Sequence, residues 1–249
     1  MKDLNSKILN KLGEIDSFII NNIRDRNLMR SFVQSLVINE LTKEIKISKR
    51  ETDFELHNFF KEKGISDNKD LKKYLLYYGI TEKNLNYQIE LPLKILKYAE
   101  NNLHKKVNSH FLKRKESLDL YTYNIIRLEN NDLAYELYFQ LDEGESDFAR
   151  LSLEYSIDKK LFPKGKAGPT SLNGTHPIIV ENLRKASPGD LLEPFKVERW
   201  WLIIKLIKRN EACLDDKVTK SMLLELFHIH VEEIINQLFK EQLSIQVQA

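Results

Sequence analysis

Apolar residues in the first 118 positions recur at three- and four-residue steps. Leu4, Ile8, Leu12, Ile15, Ile19 and Ile23 share one face of a helix, so the spacing predicts a single amphipathic helix across them. Leu28, Phe32, Val33, Leu36 and Leu41 predict a second. Phe54, Leu56, Phe59 and Phe60 predict a third, closed by Gly64, because glycine takes the left-handed capping conformation without a steric penalty. A fourth runs from about Lys69 to Tyr78 and stops at Gly79. Thr81 reads as the N-cap of a longer helix through Ile89, Leu93, Leu96 and Tyr98, with Pro92 inside it as a candidate kink. A further helix runs from Leu103 to about Lys115.

The pattern changes at Asp119. Leu120, Tyr121, Thr122, Tyr123, Ile125 and Ile126 favour extended backbone and predict a strand to about Leu128. Helices near Asn131–Leu141 and Phe148–Tyr155 follow, with Ser146 as the expected N-cap of the second. Five of the six prolines lie within the 32 residues from Pro163 to Pro194, and five of the eight glycines lie between Gly144 and Gly189. This clustering predicts a loop over Asp158–Asn173, a short helix over Pro177–Lys185 with proline at its first position, and a turn at Ser187–Asp190. Trp200–Lys208 reads as a second strong strand.

The last 35 residues return to helix, capped by Asp215 or Asp216. Val218, Met222, Leu223, Leu226, Phe227, Val231, Ile234 and Leu238 give it an apolar face too broad for water, so it is expected to pack back on the N-terminal helices. The expected organisation is a helical module over 1–118, a mixed domain over 119–210 and a returning helix over 211–249. The fold class is α+β, mostly α.

Composition narrows the function. With 249 residues, 42% apolar and 31% charged, the chain can bury a core without disulfides or metal. No run approaches the roughly 20 apolar residues of a membrane helix, so no membrane insertion is expected. The opening MKDLNSKILN lacks an apolar signal core, and the single Cys213 excludes an internal disulfide and a cysteine metal site; both point to a cytoplasmic protein. A net charge of +2 does not call for nucleic acid. The halves differ, however: residues 1–118 carry 23 basic and 16 acidic residues (+7), and residues 119–249 carry 16 and 21 (−5). That asymmetry fits two mutually attracting modules, or a basic surface for acidic segments of a client. There is no phosphate loop, no Gly-x-Ser-x-Gly elbow and no carboxylate pair at catalytic spacing, and no cofactor is expected.

Four phrases in the second half, in order, carry a family resemblance. FARLSLEYSID (Phe148–Asp158) resembles "F-A-x-L-A-x-x-Y-S-x-D". GKAG (Gly165–Gly168) resembles the "G-x-x-G" opening a short strand. HPIIVENLRKASPGDLLEP (His176–Pro194) resembles a short helix followed by "x-P-G-x-x-x-x-P", and WWLIIKL (Trp200–Leu206) a closing strand. Residues from about Asp119 to Asn210 thus resemble a parvulin-type (rotamase) peptidyl-prolyl cis-trans isomerase domain. The helical flanks are similar to SurA-like chaperones, and the whole is most similar to signal-less bacterial parvulin-like proteins. The resemblance implies a small antiparallel sheet flanked by helices, and a folding assistant whose clients are unfolded or proline-containing polypeptides.

The implied chemistry makes and breaks no bond. An X-Pro amide isomerises slowly because its partial double bond must twist. A catalyst holds proline in an apolar pocket and favours the twisted amide with a polar cluster, in this family two histidines and a Cys or Asp. Carried over by resemblance, the Cys/Asp position falls on Asp158, the first histidine on Asn124 and the last-strand histidine near Leu202. The proline pocket maps to Ala167, to Asn173 or Gly174, and to Ile178, and His176 in the overlying loop is a candidate stand-in polar group. The histidine pair is therefore missing and the pocket smaller, which describes a degenerate site. The alternative is a parvulin-fold chaperone or peptide-binding module without catalysis.

The other candidates read as structural. His228 and His230 are two apart on a helix and point in different directions, unlike a metal pair. His104 and His110 are expected on a solvated helix face, and Lys113, Arg114 and Lys115 at a solvated helix end. Trp200 and Trp201 must lie on opposite faces of their strand.

Overall fold

The computed structural model describes residues 2–240. Eleven helices among them are α1 (Lys2–Gly13), α2 (Ser17–Asp25), α3 (Met29–Thr42), α4 (Lys49–Lys63), α5 (Asn68–Tyr78), α6 (Glu82–Leu103), α7 (Val107–Leu118), α8 (Asn131–Asp142), α9 (Phe148–Tyr155), α10 (Pro177–Lys185) and α11 (Asp216–Leu238). The strands are β1 (Leu120–Leu128), β2 (Lys166–Thr170), β3 (Leu191–Val197) and β4 (Trp200–Asn210). The chain is α+β and mostly helical, with one small antiparallel sheet. It divides into two compact units, Met1–His110 with Leu214–Ala249, and Phe111–Cys213.

In the first unit the apolar stripes meet. α11 packs along α6 and α3, burying Met222, Leu223, Leu226, Phe227, Val231, Ile234, Ile235 and Leu238. The predicted opening helix is two: Gly13 ends α1, and the Asp16 side chain accepts a hydrogen bond from Phe18 N to start α2. A cap costs little to form and outweighs continuing periodicity. Ser48 and Thr81 each build a reciprocal capping box, at α4 and α6. Gly64 and Gly79 cap α4 and α5 in the left-handed region. Pro92 sits inside α6 without ending it. His110 is not on a solvated face: its Nε2 lies 2.9 Å from Glu225 Oε2. His230 is half-buried and its ring stacks on that of Tyr98.

The second unit is built on the sheet β2–β1–β4–β3, antiparallel throughout. One face carries Tyr121, Tyr123 and Ile125 of β1, Ala167 of β2, and Leu202, Ile204 and Leu206 of β4, covered by Ile179 and Leu183 of α10. The other carries Ile126, Leu128 and Ile203 under Ala134, Leu137, Phe148 and Leu151 of α8 and α9. Trp200 and Trp201 part in the same way: Trp200 packs on the first core with the Arg199 guanidinium 4.3 Å above its ring, and Trp201 meets Tyr135 of α8.

The periodicity revealed neither β2, which lies inside the stretch Asp158–Asn173 expected to be a loop, nor β3. Pro194 interrupts LLEPFKV, and proline cannot donate to a ladder. The strand tolerates it because β3 is a sheet edge, and its pairing with β4 shifts register between Leu192 and Phe195. The cap of α9 is also one residue later than expected: Asp147, not Ser146, accepts from Arg150 N at 2.9 Å.

Two contacts pin the sheet. Asp119 is fully buried, accepts from Arg209 at 2.7 and 3.1 Å and from Ala212 N at 2.9 Å, and so clasps the start of β1 to the end of β4. Gly168, at φ +91°, lets β2 close on β1: a Cβ there would lie 2.1 Å from the Tyr121 carbonyl oxygen.

Candidate active site

Side chains two apart on a strand share a face. In β1 that rule sets Tyr123, Ile125 and Arg127 on the side of Leu202, which pairs directly with Arg127. Asn124 falls on the other side. Its cross-strand neighbours are Lys166 and Lys205, and it faces the α8–α9 loop.

The end of α9 brings Asp158 to the first face. Ser156 Oγ accepts from Arg127 N at 3.2 Å, and Ile157 N donates to the Arg127 carbonyl at 3.1 Å, so the chain leaving α9 is stitched to β1. The Asp158 carbonyl then accepts from Leu161 N and Phe162 N, both at 2.9 Å, closing a turn that seats Phe162 against the core. The Asp158 carboxylate ends up beside the Arg127 guanidinium, Oδ2 to Nε 3.0 Å, with both groups largely shielded from water. Tyr123 is buried on the same face, and burial pushes its phenol up, against a smaller opposing effect of the Arg127 charge.

Of the residues carried over from the sequence, Asp158, Ala167 and Leu202 thus share a face of the sheet. Leu202 is fully buried and Ala167 nearly so, both inside the core beneath Arg127 and Phe162. The other four do not join them as a lining. Asn124 is on the opposite face. His176 caps α10, its Nδ1 accepting from Ile178 N at 3.3 Å. Ile178 is 40% exposed, and its neighbour Ile179 is the residue that packs toward the sheet. Asn173 is exposed and donates to the Ser117 carbonyl at 3.3 Å. The polar cluster that does form, Arg127 with Asp158 near Tyr123, was missed because Asn124 was placed by matching motifs. Strand parity counted from Leu128 would have found Arg127.

Residues 126–208 match the Rotamase family model, described as a PPIC-type PPIase domain. The unit built on the sheet therefore carries a parvulin-type domain. No curated protein matches the chain. Among solved structures, peptidylprolyl isomerase PrsA of Bacillus cereus is 19% identical over 92% of this chain and 87% of its own, with a TM-score of 0.46. One of the SurA-like chaperones PEB4 and Cj1289 of Campylobacter jejuni is 16% identical over 98% and 92%, with a TM-score of 0.38. The parvulin domain of PpiD from E. coli is 26% identical over 39% of this chain and 95% of its own, with a TM-score of 0.33.

Proposed function

We propose that this protein assists folding by holding proline-containing segments of unfolded polypeptides at its parvulin-type domain, with a degenerate isomerase site. The observation that carries the reading is the pairing of Arg127 with Asp158 beside a fully buried Leu202. Arg127 and Asp158 bring a guanidinium and a carboxylate to this face.

The chemistry follows from what those groups offer. Twisting an X-Pro amide costs about 18–20 kcal/mol because resonance is lost: the lone pair returns to the nitrogen and the carbonyl oxygen gives up part of its negative charge. Arg127 can donate to the nitrogen lone pair that the twisted amide exposes, while Asp158 balances the guanidinium charge in the resting state. The same pairing weakens the effect, because the nearby carboxylate offsets the guanidinium charge. A hundredfold acceleration requires about 2.7 kcal/mol of preference for the twisted state. The activity read here is modest isomerisation joined to peptide holding.

A second reading, peptide binding without catalysis, is favoured by Leu202, which supplies no polar function at the last-strand position. A protease-free proline-peptide isomerisation assay, run beside suppression of aggregation of an unfolded client, separates the two. Slow acceleration reduced by Asp158→Asn and more strongly by Arg127→Met, together with client protection, supports the first. Protection with no acceleration at high protein concentration supports the second. Neither acceleration nor protection would overturn both.

A further inference from the structure

The face of the sheet away from Asp158 holds a second group of polar side chains. A cavity of about 350 Å³ lies where the α8–α9 loop leaves β1 and β4 uncovered. Three hydrogen-bond donors converge on it: the Lys205 ammonium, the Asn124 amide and the Ser146 hydroxyl. The Ser146 oxygen is buried without a partner. Among the described residues, neither the Lys205 nor the Asn124 side chain has a hydrogen-bond or ion-pair partner. Buried polar groups are normally satisfied, so the unpartnered Ser146 hydroxyl, with the Lys205 and Asn124 side chains lining the same cavity, marks a place for an acceptor.

Their positions are fixed by backbone, not by chance rotamers. Asn124 pairs directly with Lys205 across β1 and β4, and with the exposed Lys166 across β1 and β2, so both lysines flank it on one face. Ser146 N and Glu145 N both donate to the Gln140 carbonyl, at 3.2 and 2.9 Å, which folds the loop back over the end of α8 and turns Ser146 inward. Leu141, Phe148, Leu191 and Ile207 add apolar wall, and Asp147 lines the cavity as well.

We infer that this cavity binds a carboxylate attached to an apolar residue, at the end or along the length of a polypeptide. The ammonium supplies one positive charge inside the cavity, matched to one negative charge. The amide and hydroxyl add directional donors for the two oxygens. The apolar walls suit the neighbouring side chain. A doubly charged phosphate fits less well, because Asp147 also lines the cavity, and its carboxylate, engaged as the cap of α9, places a like charge beside any anion.

The test is calorimetric titration of the full chain with four probes: acetyl-Ala-Ala-Leu with a free carboxylate, its C-terminal amide, acetyl-Ala-Glu-Leu-amide, and inorganic phosphate. The free acid is expected to bind at least tenfold more tightly than the amide. Lys205→Met should weaken it about tenfold, and Lys205→Arg should retain most of the affinity. Equal binding of the internal glutamate peptide keeps the site and assigns its carboxylate to an acidic side chain; weak binding assigns it to a chain terminus. Equal affinity for acid and amide, phosphate binding as tightly as the acid, or no effect of Lys205→Met would overturn the inference. Amide chemical shifts in unaltered protein provide an independent reading should a variant fail to fold. They are expected to move at residues 141–148 and 203–207, and the same changes centred on the Asp158 turn would overturn it.

Discussion

Arg127 Nε stands 3.0 Å from Asp158 Oδ2, one group arriving from β1 and the other from the turn after α9. Removing either partner leaves a largely shielded charge without its counterion. Arg127→Met is expected to destabilise the protein by about 1–3 kcal/mol in urea unfolding. It should also cost any isomerisation more than Asp158→Asn does, since the guanidinium is the donor and the carboxylate its counterion. A reversed order in the proline-peptide assay would assign the roles the other way.

Leu202 occupies the last-strand position where the family resemblance places a histidine, and it is fully buried. Restoring the ring by Leu202→His should not restore a site. An imidazole there replaces packed apolar contact with Ile204 and Leu206, and burying its ring nitrogens costs about 1–3 kcal/mol for each left unpaired. Thermal and urea unfolding should both show the loss, without a gain in isomerisation. Leu202→Ala is expected to cost about 2–5 kcal/mol by leaving a cavity.

The Asp119–Arg209 clasp makes a pH prediction. Burial alone would raise the Asp119 carboxyl, but the hydrogen bonds from Ala212 and Arg209 and the Arg209 charge outweigh it and hold the group below its ordinary value. A carboxylate depressed in the folded state contributes stability that is fully present above its unfolded value. It is lost as pH falls through the folded value. The contribution should therefore be intact at pH 6 and decline below about pH 4, where the unfolded carboxyl begins to take up protons. In Asp119→Asn this part of the acid dependence disappears. At neutral pH, Arg209→Met should cost about 3 kcal/mol, since it strands a buried charge.

Gly168→Ala tests the closeness of β2 and β1. The residue sits at φ +91°, and the added Cβ would meet the Tyr121 carbonyl oxygen at 2.1 Å. The expected cost is at least ~2 kcal/mol, with loss of amide protection at residues 166–170 ahead of the rest of the sheet. An unchanged exchange pattern would show that the strand can shift to accommodate the methyl group.

Elements driven by local chemistry were legible from the chain. α9 and α10 span the residues expected for them, because Tyr155 is followed by a turn and Pro177 presets the first helical position. Gly64, Gly79 and Thr81 acted where their conformational and capping preferences placed them. The misreadings share a cause. The break at Gly13–Asp16 and the one-residue offset from Ser146 to Asp147 were decided by which of two neighbouring side chains reached a free N–H. β3 was hidden because Pro194 is unfavourable in a strand unless that strand lies at an edge.

The sequence by itself determined most of the helix periodicity and the motif phrases shared with parvulin-type domains, since each depends on residues within about a turn or a hairpin of one another. Only the tertiary structure decided what stands beside Asp158. That depends on the β1–β4 register, with its shift between Thr122 and Tyr123, and on the backbone bonds that tie Ser156 and Ile157 to Arg127. Changing a strand's register by one residue exchanges its two faces. The same parity sets Arg127 over Leu202 and turns Asn124 toward Lys205 and the opposite cavity.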